Sequence, residues 1–208
     1  MVEGLLNLNK RSGVSSRRAV DEVARLLGKV KVGHTGTLDP LAEGVLVLCV
    51  GGATRLVEYV QQSLKEYRAE FLLGQSSDTD DIEGEVQILT EPPVPKLEEV
   101  MASADRLVGS IMQRPPAYSA IKVDGQRAYR LARQGKPPEM VPREVVVESI
   151  EVVEYAYPRL ALEICCHGGT YIRAIGRDLA QSLGTAAVMS SLVRTAVGPF
   201  KLSASVAI

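Results

Sequence analysis

One twelve-residue stretch carries most of the chemistry in this chain: Gly33-His34-Thr35-Gly36-Thr37-Leu38-Asp39-Pro40-Leu41-Ala42-Glu43-Gly44. It holds a carboxylate at Asp39, an imidazole at His34, and hydroxyls at Thr35 and Thr37. A carboxylate fixed in place can act as a general base or as a nucleophile. The composition predicts that it is fixed. Glycine admits backbone angles closed to other residues, while proline sets its own φ and restrains the residue before it. The stretch therefore forms no regular helix or strand, and Asp39 is held extended or in a turn before Pro40. The plainer alternative is a turn in which Asp39, Thr35 and Thr37 bond their own backbone. Loops on rigid scaffolds are, however, where chemistry tends to sit.

The flanking elements must supply that scaffold. Val45-Leu46-Val47-Leu48-Cys49-Val50 is a continuous apolar run and predicts a buried strand directly behind the loop. Ahead of the loop, Leu5–Lys10 predicts a first strand. Ser15 or Ser16 then caps a helix with Val20, Val23 and Leu27 on one face and Arg17, Arg18 and Arg25 on the other, closed by Gly28. Gly51-Gly52 turns into a short helix carrying Leu56, Val57 and Val60. Lys65–Gly74 alternates, with Tyr67, Ala69, Phe71 and Leu73 on one face. A stiff Pro92-Pro93-Val94-Pro95 connector leads to an amphipathic helix over 96–108. Asp124-Gly125 predicts a hairpin-type turn, followed by a basic segment with Arg127, Arg130, Arg133 and Lys136. Strands are expected near 144–155 and 159–167. Gly168-Gly169-Thr170-Tyr171-Ile172-Arg173 then opens a helix with Thr170 as its cap and Ile175, Leu179 and Leu183 inward.

Bulk properties bound the function. A chain of 208 residues builds one sizeable core with room for a small lobe. It has no run near the roughly 18 apolar residues of a membrane helix, and Met1-Val2-Glu3-Gly4 does not begin a signal peptide. Three cysteines, an odd number, fit a cytoplasmic protein. Consecutive Cys165, Cys166 and His167 would alternate faces of a strand, so no metal site is expected there. The acidic loop Asp78-Thr79-Asp80-Asp81 lacks a glycine-spaced calcium pattern and is expected to be a turn. A net charge of −1 argues against a general nucleic-acid binder. That average hides a division: residues 1–36 hold seven Lys/Arg against three acids, 107–143 hold seven against two, and 66–106 hold three against eleven. An RNA-facing side could be assembled from the first two regions, although solvated helix faces would look the same. An aromatic content of 4% without Trp makes a base-stacking platform for single strands a poor fit.

The loop from Gly33 to Leu46 resembles the catalytic signature of the pseudouridine synthases of the TruB type, tRNA pseudouridine-55 synthases, with the pattern G-H-x-G-T-L-D-P-x-A-x-G-x-L. Further segments resemble the same family in order. Asn9-Lys10-Arg11-Ser12-Gly13-Val14-Ser15-Ser16 is similar to N-K-P-x-G-x-S-S, with Arg11 in place of proline. Lys65-Glu66-Tyr67 resembles the K-x-Y stretch. Arg114–Lys122 resembles the Q-x-P-P-x-x-S-A-x-K strand. Tyr171-Ile172-Arg173 and Leu192–Phe200 resemble G-x-Y-I-R and L-x-R-T-x-V-G-P-F. Thr35-Gly36-Thr37-Leu38 also resembles the D-K-T-G-T loop of aspartyl-phosphate enzymes, but Gly33 occupies the position of their nucleophile, so a phosphotransferase fails at its essential residue.

The resemblance implies an α+β pseudouridine synthase fold, with a central mixed, largely antiparallel sheet flanked by helices and a catalytic cleft across the sheet. It implies one catalytic domain over 1–208 with a mobile, basic thumb at about 124–143. Most relatives continue into a small RNA-binding PUA domain, for which this chain has no room. The implied reaction isomerises a uridine in the T-loop of tRNA without cofactor or metal, in a monomer. Asp39 is the catalytic carboxylate, attacking C1′ or deprotonating C2′. Arg173 is the fixed cation that keeps it ionised. Tyr67 stacks on the flipped base and helps to remove the C5 proton. His34 fills the gap left by the extruded base. Arg55 is a phosphate or site contact, and Leu192 walls the uracil pocket. Lys10, Lys122, Arg127 and Arg130 complete the RNA-contacting set. The rival reading is a non-catalytic RNA-binding or RNA-folding module, which absence of Asp39, Tyr67 or Arg173 would have favoured.

Overall fold

The computed structural model describes residues 2–123 and 125–207. Its strands are β1 (Gly4–Lys10), β2 (Val32–His34), β3 (Glu43–Val50), β4 (Lys65–Leu73), β5 (Gln75–Ser76), β6 (Gln87–Ile88) and β7 (Gly109–Gln113). They continue with β8 (Lys122–Val123), β9 (Gln126–Arg127), β10 (Arg143–Ala156), β11 (Arg159–Cys166), β12 (Ala187–Val197) and β13 (Phe200–Lys201). The helices are α1 (Ser16–Leu26), α2 (Val57–Gln61), α3 (Leu97–Asp105), α4 (Ala128–Arg133) and α5 (Ile172–Ser182). The main sheet runs β1-β3-β12-β4-β11-β10-β7, with β2 also on β3 and β13 also on β12. β3 and β12 pair in parallel, whereas β1 with β3, β2 with β3, β7 with β10 and β12 with β13 are antiparallel. The fold is thus α+β around a mixed, largely antiparallel sheet, as expected. No helix among the described residues is long and apolar enough to cross a membrane.

The chain divides into two compact units. One comprises the residues up to Arg68, Ile164–Gly168, and those from Ser191 onward; the other comprises Ala69–Glu163 and Gly169–Ser190. In the first unit β3 is buried from Gly44 to Val50, which the unbroken apolar run requires of a strand covered on both faces. β1 pairs with it along its whole length, with Leu6 opposite Leu48 and Lys10 opposite Gly44. α1 starts where the Ser15 side chain accepts from the Arg18 amide at 3.2 Å, and it buries Ser16, Ala19, Val20 and Val23. Gly44 has a φ of +98°, and a Cβ there would collide with the backbone carbonyl of Arg194. Only glycine lets β3 and β12 approach at that point.

In the second unit α5 buries Ile175 and Leu179, and Gly176 lies directly against the ring of Phe71, where any side chain would overlap it. α3 opens with the Lys96 amide donating to the Glu99 carboxylate at 2.7 Å. Two expectations change here. The segment expected as a strand over Arg114–Lys122 is irregular from 114 to 121, because the strand ends at Gln113, just ahead of Arg114 and the donor-less Pro115 and Pro116. The N-cap of α5 is Tyr171 rather than Thr170. Gln113 clamps its backbone, accepting from the Tyr171 amide at 2.8 Å and donating to its carbonyl at 3.1 Å. Asp124 of the expected hairpin turn lies outside the described residues. The strands on either side of it pair as a hairpin, Lys122 with Arg127 and Val123 with Gln126.

Candidate active site

Asp39 occupies the first position of a tight turn: its carbonyl accepts from the Ala42 amide at 3.1 Å, and Pro40 follows it. Both flanks of the turn are pinned within the first unit. The buried Ser16 hydroxyl donates to the Leu38 carbonyl at 2.8 Å and accepts from the Leu38 amide at 2.8 Å. The Pro40 carbonyl accepts from the Gly13 amide at 2.8 Å and from the Lys10 ammonium at 3.4 Å. Ser12 donates to the Leu41 carbonyl at 2.9 Å. Upstream, the buried Thr35 bonds the Val47 carbonyl through both its amide and its hydroxyl, at 3.1 and 3.3 Å. The half-buried Asp39 is therefore carried by a loop tied to the segment between β1 and α1 on one side and to β3 on the other. The Asn9–Ser16 segment works here as a clamp. Lys10, 1% exposed, also donates to the Val14 carbonyl at 2.7 Å and the Arg11 carbonyl at 3.0 Å. Arg11 itself points to Glu22 at 3.8 Å.

Four more titratable groups of this unit share one neighbourhood. Arg194, on β12, is 2% exposed; its Nε donates to the Val45 carbonyl at 2.7 Å and its Nη2 to the Gly36 carbonyl at 3.1 Å. Its positive charge also bears on the Tyr67 hydroxyl. Burial pushes the Tyr67 phenol above its ordinary pKa, with Cys166 and the Asp39 carboxylate adding to the push, while Arg194 opposes it. The His34 imidazole is drawn down by burial and by the positive charges of Arg194 and Arg17, so it is neutral, and its buried Nδ1 has no hydrogen-bond partner among the described residues. Lys65 is drawn down by burial and by Arg194, against a raising influence of Cys166; its ammonium donates to the carbonyls of Gln61 and Ser63, the latter at 2.6 Å. Leu192 is buried in the same unit, and Arg55 is exposed on the short 3₁₀ turn after β3.

Arg173 belongs to the second unit. It is 5% exposed, and its guanidinium donates to the Thr79 carbonyl at 2.7 Å, the Asp81 carboxylate at 3.1 Å and the Tyr118 carbonyl at 3.0 Å. Asp81 in turn accepts from the Thr79 hydroxyl at 2.6 Å and the Glu83 amide at 3.0 Å. Asp80 pairs with Arg177 at 2.8 Å, and Asp78 accepts from the Tyr118 hydroxyl at 2.7 Å. Each carboxylate of the acidic loop thus has a protein partner. Among the described residues no group of His, Cys, Asp and Glu has the arrangement of a metal site. In the basic segment, Lys122, Arg127, Arg130, Arg133 and Lys136 are exposed, while Ala128, Ala132 and Met140 are buried beneath them. Arg127 donates to the Ala120 carbonyl, and Arg133 lies over the Tyr129 ring at 5.7 Å.

The structure thus places Asp39, His34, Tyr67, Leu192, Lys10 and Arg55 in one unit and Arg173, Lys122, Arg127 and Arg130 in the other. Sequence reasoning assigns no role to Arg194, Ser16 or Asp81 at the site. A signal for Arg194 existed: in β12 it is in phase with the buried Leu192 and Ala196, which a two-residue period puts on the inner face.

Residues 24–172 match the family described as "TruB family pseudouridylate synthase (N terminal domain)". A tRNA pseudouridine synthase B from Gloeobacter violaceus is 44% identical over 208 residues, with 98% of this chain and 71% of that protein covered. One of the same name from Rhodopirellula baltica is 43% identical, with 96% of this chain but 59% of that protein covered. The chain spans about three fifths of the length of that relative. Among solved structures, a Cbf5-Nop10-Gar1 complex matches with a TM-score of 0.76 at 29% identity, over 99% of this chain and 52% of that one. An H/ACA RNP bound to a substrate RNA containing 2′-deoxyuridine matches with a TM-score of 0.73 at 27% identity, over 98% and 50%.

Proposed function

The chain belongs to the TruB family of pseudouridylate synthases, and from that premise we propose that it isomerises the T-loop uridine of tRNA, position 55, to pseudouridine. The observation that carries this reading is Asp39 on a turn pinned at Leu38, Pro40 and Leu41. In the reaction the C1′–N1 bond breaks, the freed uracil turns, and its C5 bonds to C1′. The C5 proton then leaves and N1 ends with a proton, so the product is an isomer and no redox partner is needed. Asp39 attacks C1′ or removes the C2′ proton. Tyr67 stacks on the base and takes part in removing the C5 proton. Leu192 walls the uracil, and His34, uncharged, fills the space the base vacates. Arg173 supplies the reaction's fixed positive charge, with Asp81 and two carbonyls holding its plane. Arg55 and Lys10 serve substrate binding, Lys10 through the clamp on Pro40. The protein acts as a cytoplasmic monomer. Incubation with an isolated T-arm stem-loop tests the reading. One pseudouridine in the loop is expected, and none, with folded protein, would count against it.

Residues 124–143 are proposed as an RNA-contacting thumb, since Arg127, Arg130, Arg133 and Lys136 face solvent on a small hairpin-and-helix unit. Replacing Arg130 and Arg133 with Ala should weaken T-arm binding and flatten its salt dependence, by about 0.7–0.9 in log–log slope for each phosphate that is no longer neutralised. Filter binding at several salt concentrations reads this. An unchanged slope and affinity would leave the segment a solvated helix.

A further inference from the structure

We infer that Arg194 is a positioning residue of this isomerisation, one buried guanidinium that ties both flanks of the Asp39 loop together and sets its charge against the Tyr67 hydroxyl. The inference rests on the roles given above to Asp39 and Tyr67. Its acceptors come from both flanks of the loop, Gly36 ahead of Asp39 and Val45 just beyond it, while its charge bears on Tyr67 on β4. A guanidinium is planar and its N–H directions are rigid, so two such bonds, from Nε and Nη2, set position and angle together. The backbone of Arg194 is itself locked, in parallel register with Gly44, where the missing Cβ allows the close approach.

The charge matters as well as the geometry. Burial holds the Tyr67 phenol protonated, and a phenol that takes up the C5 proton must first give up its own. Arg194 is the influence whose positive charge works against burial at this hydroxyl. The same charge bears on His34 and Lys65, so the site's own bases are biased toward their neutral forms.

The test uses Arg194→Lys and Arg194→Gln in the full chain, with folding followed by circular dichroism and T-arm affinity by filter binding. Single-turnover pseudouridine formation and C5-tritium release are measured across pH. Affinity should stay within about threefold. Turnover should fall about a hundredfold in Arg194→Lys, the scale of loss that a misplacement of about 1 Å produces, and further in Arg194→Gln. The pH profile of tritium release should move alkaline in Arg194→Gln, because the phenol loses its stabilising cation, and stay in place in Arg194→Lys. Wild-type rates in both folded variants would overturn the inference. So would slower rates with an unmoved profile in Arg194→Gln, which is what a mere scaffold would give. If neither variant folds, the Nε–H resonance of Arg194 in the intact protein decides: it should be protected from exchange and shift on Tyr67→Phe, and an unshifted resonance would overturn the inference. A wild-type chain that makes no pseudouridine would instead remove the functional reading, so the two failures are distinguishable.

Discussion

Asp39→Asn should reduce pseudouridine formation by at least about ten-thousand-fold, the upper range for a lost acid–base or nucleophilic group, while leaving fold and RNA affinity intact. The bonds that shape the turn are made by backbone groups of Leu38, Asp39, Pro40 and Leu41. Asparagine keeps the side-chain volume, so the loop retains its form and only the charge and basicity go. Circular dichroism, filter binding and a C5-tritium release assay read the three outcomes separately. Measurable turnover in a folded, RNA-binding Asp39→Asn variant would mean that the clamped loop presents something other than the reacting carboxylate.

Asp81→Ala should be the most damaging change to stability, lowering it by about 3–5 kcal/mol, the usual result of removing one partner of a buried ion pair. The side chains of Arg173 and Asp81 are 5% and 2% exposed, so water cannot readily replace the lost carboxylate. Asp81→Asn keeps an acceptor for Arg173 and should cost distinctly less. Arg173→Lys keeps the charge, but an ammonium cannot reproduce a fork that serves the Thr79 carbonyl, the Asp81 carboxylate and the Tyr118 carbonyl together. Its turnover should fall greatly with little change in RNA affinity. Urea denaturation and single-turnover kinetics measure the two effects. Wild-type stability in Asp81→Ala would show that the pair carries no structural charge balance.

The conformational constraint on Asp39 could be read from its neighbours, because glycine and proline act locally and need no tertiary partner. β3 was legible from its unbroken apolar run, and the buried face of β4 from its alternation. What could not be read were the acceptors that let the fold bury charged residues. Lys10, Arg173 and Arg194 are of types that usually face water, and each bonds a carbonyl or carboxylate brought from a distant segment. Lys65 shares the phase of Tyr67 and Phe71 on the buried face of β4. The 114–121 segment is irregular where the resemblance implies a strand, because Pro115 and Pro116 lack the amide donors of a ladder. Ser16 was one of two possible helix caps. Ser15 caps α1, leaving Ser16 to hold both backbone groups of Leu38.

The most direct test of the central claim is pseudouridine mapping at single-nucleotide resolution. An unmodified tRNA transcript is incubated with the wild-type chain and, in parallel, with Asp39→Asn. The account predicts one new pseudouridine, at the T-loop uridine, with the wild-type chain and none with the variant. No pseudouridine anywhere with folded wild-type protein, or the same modification with both proteins, would contradict it.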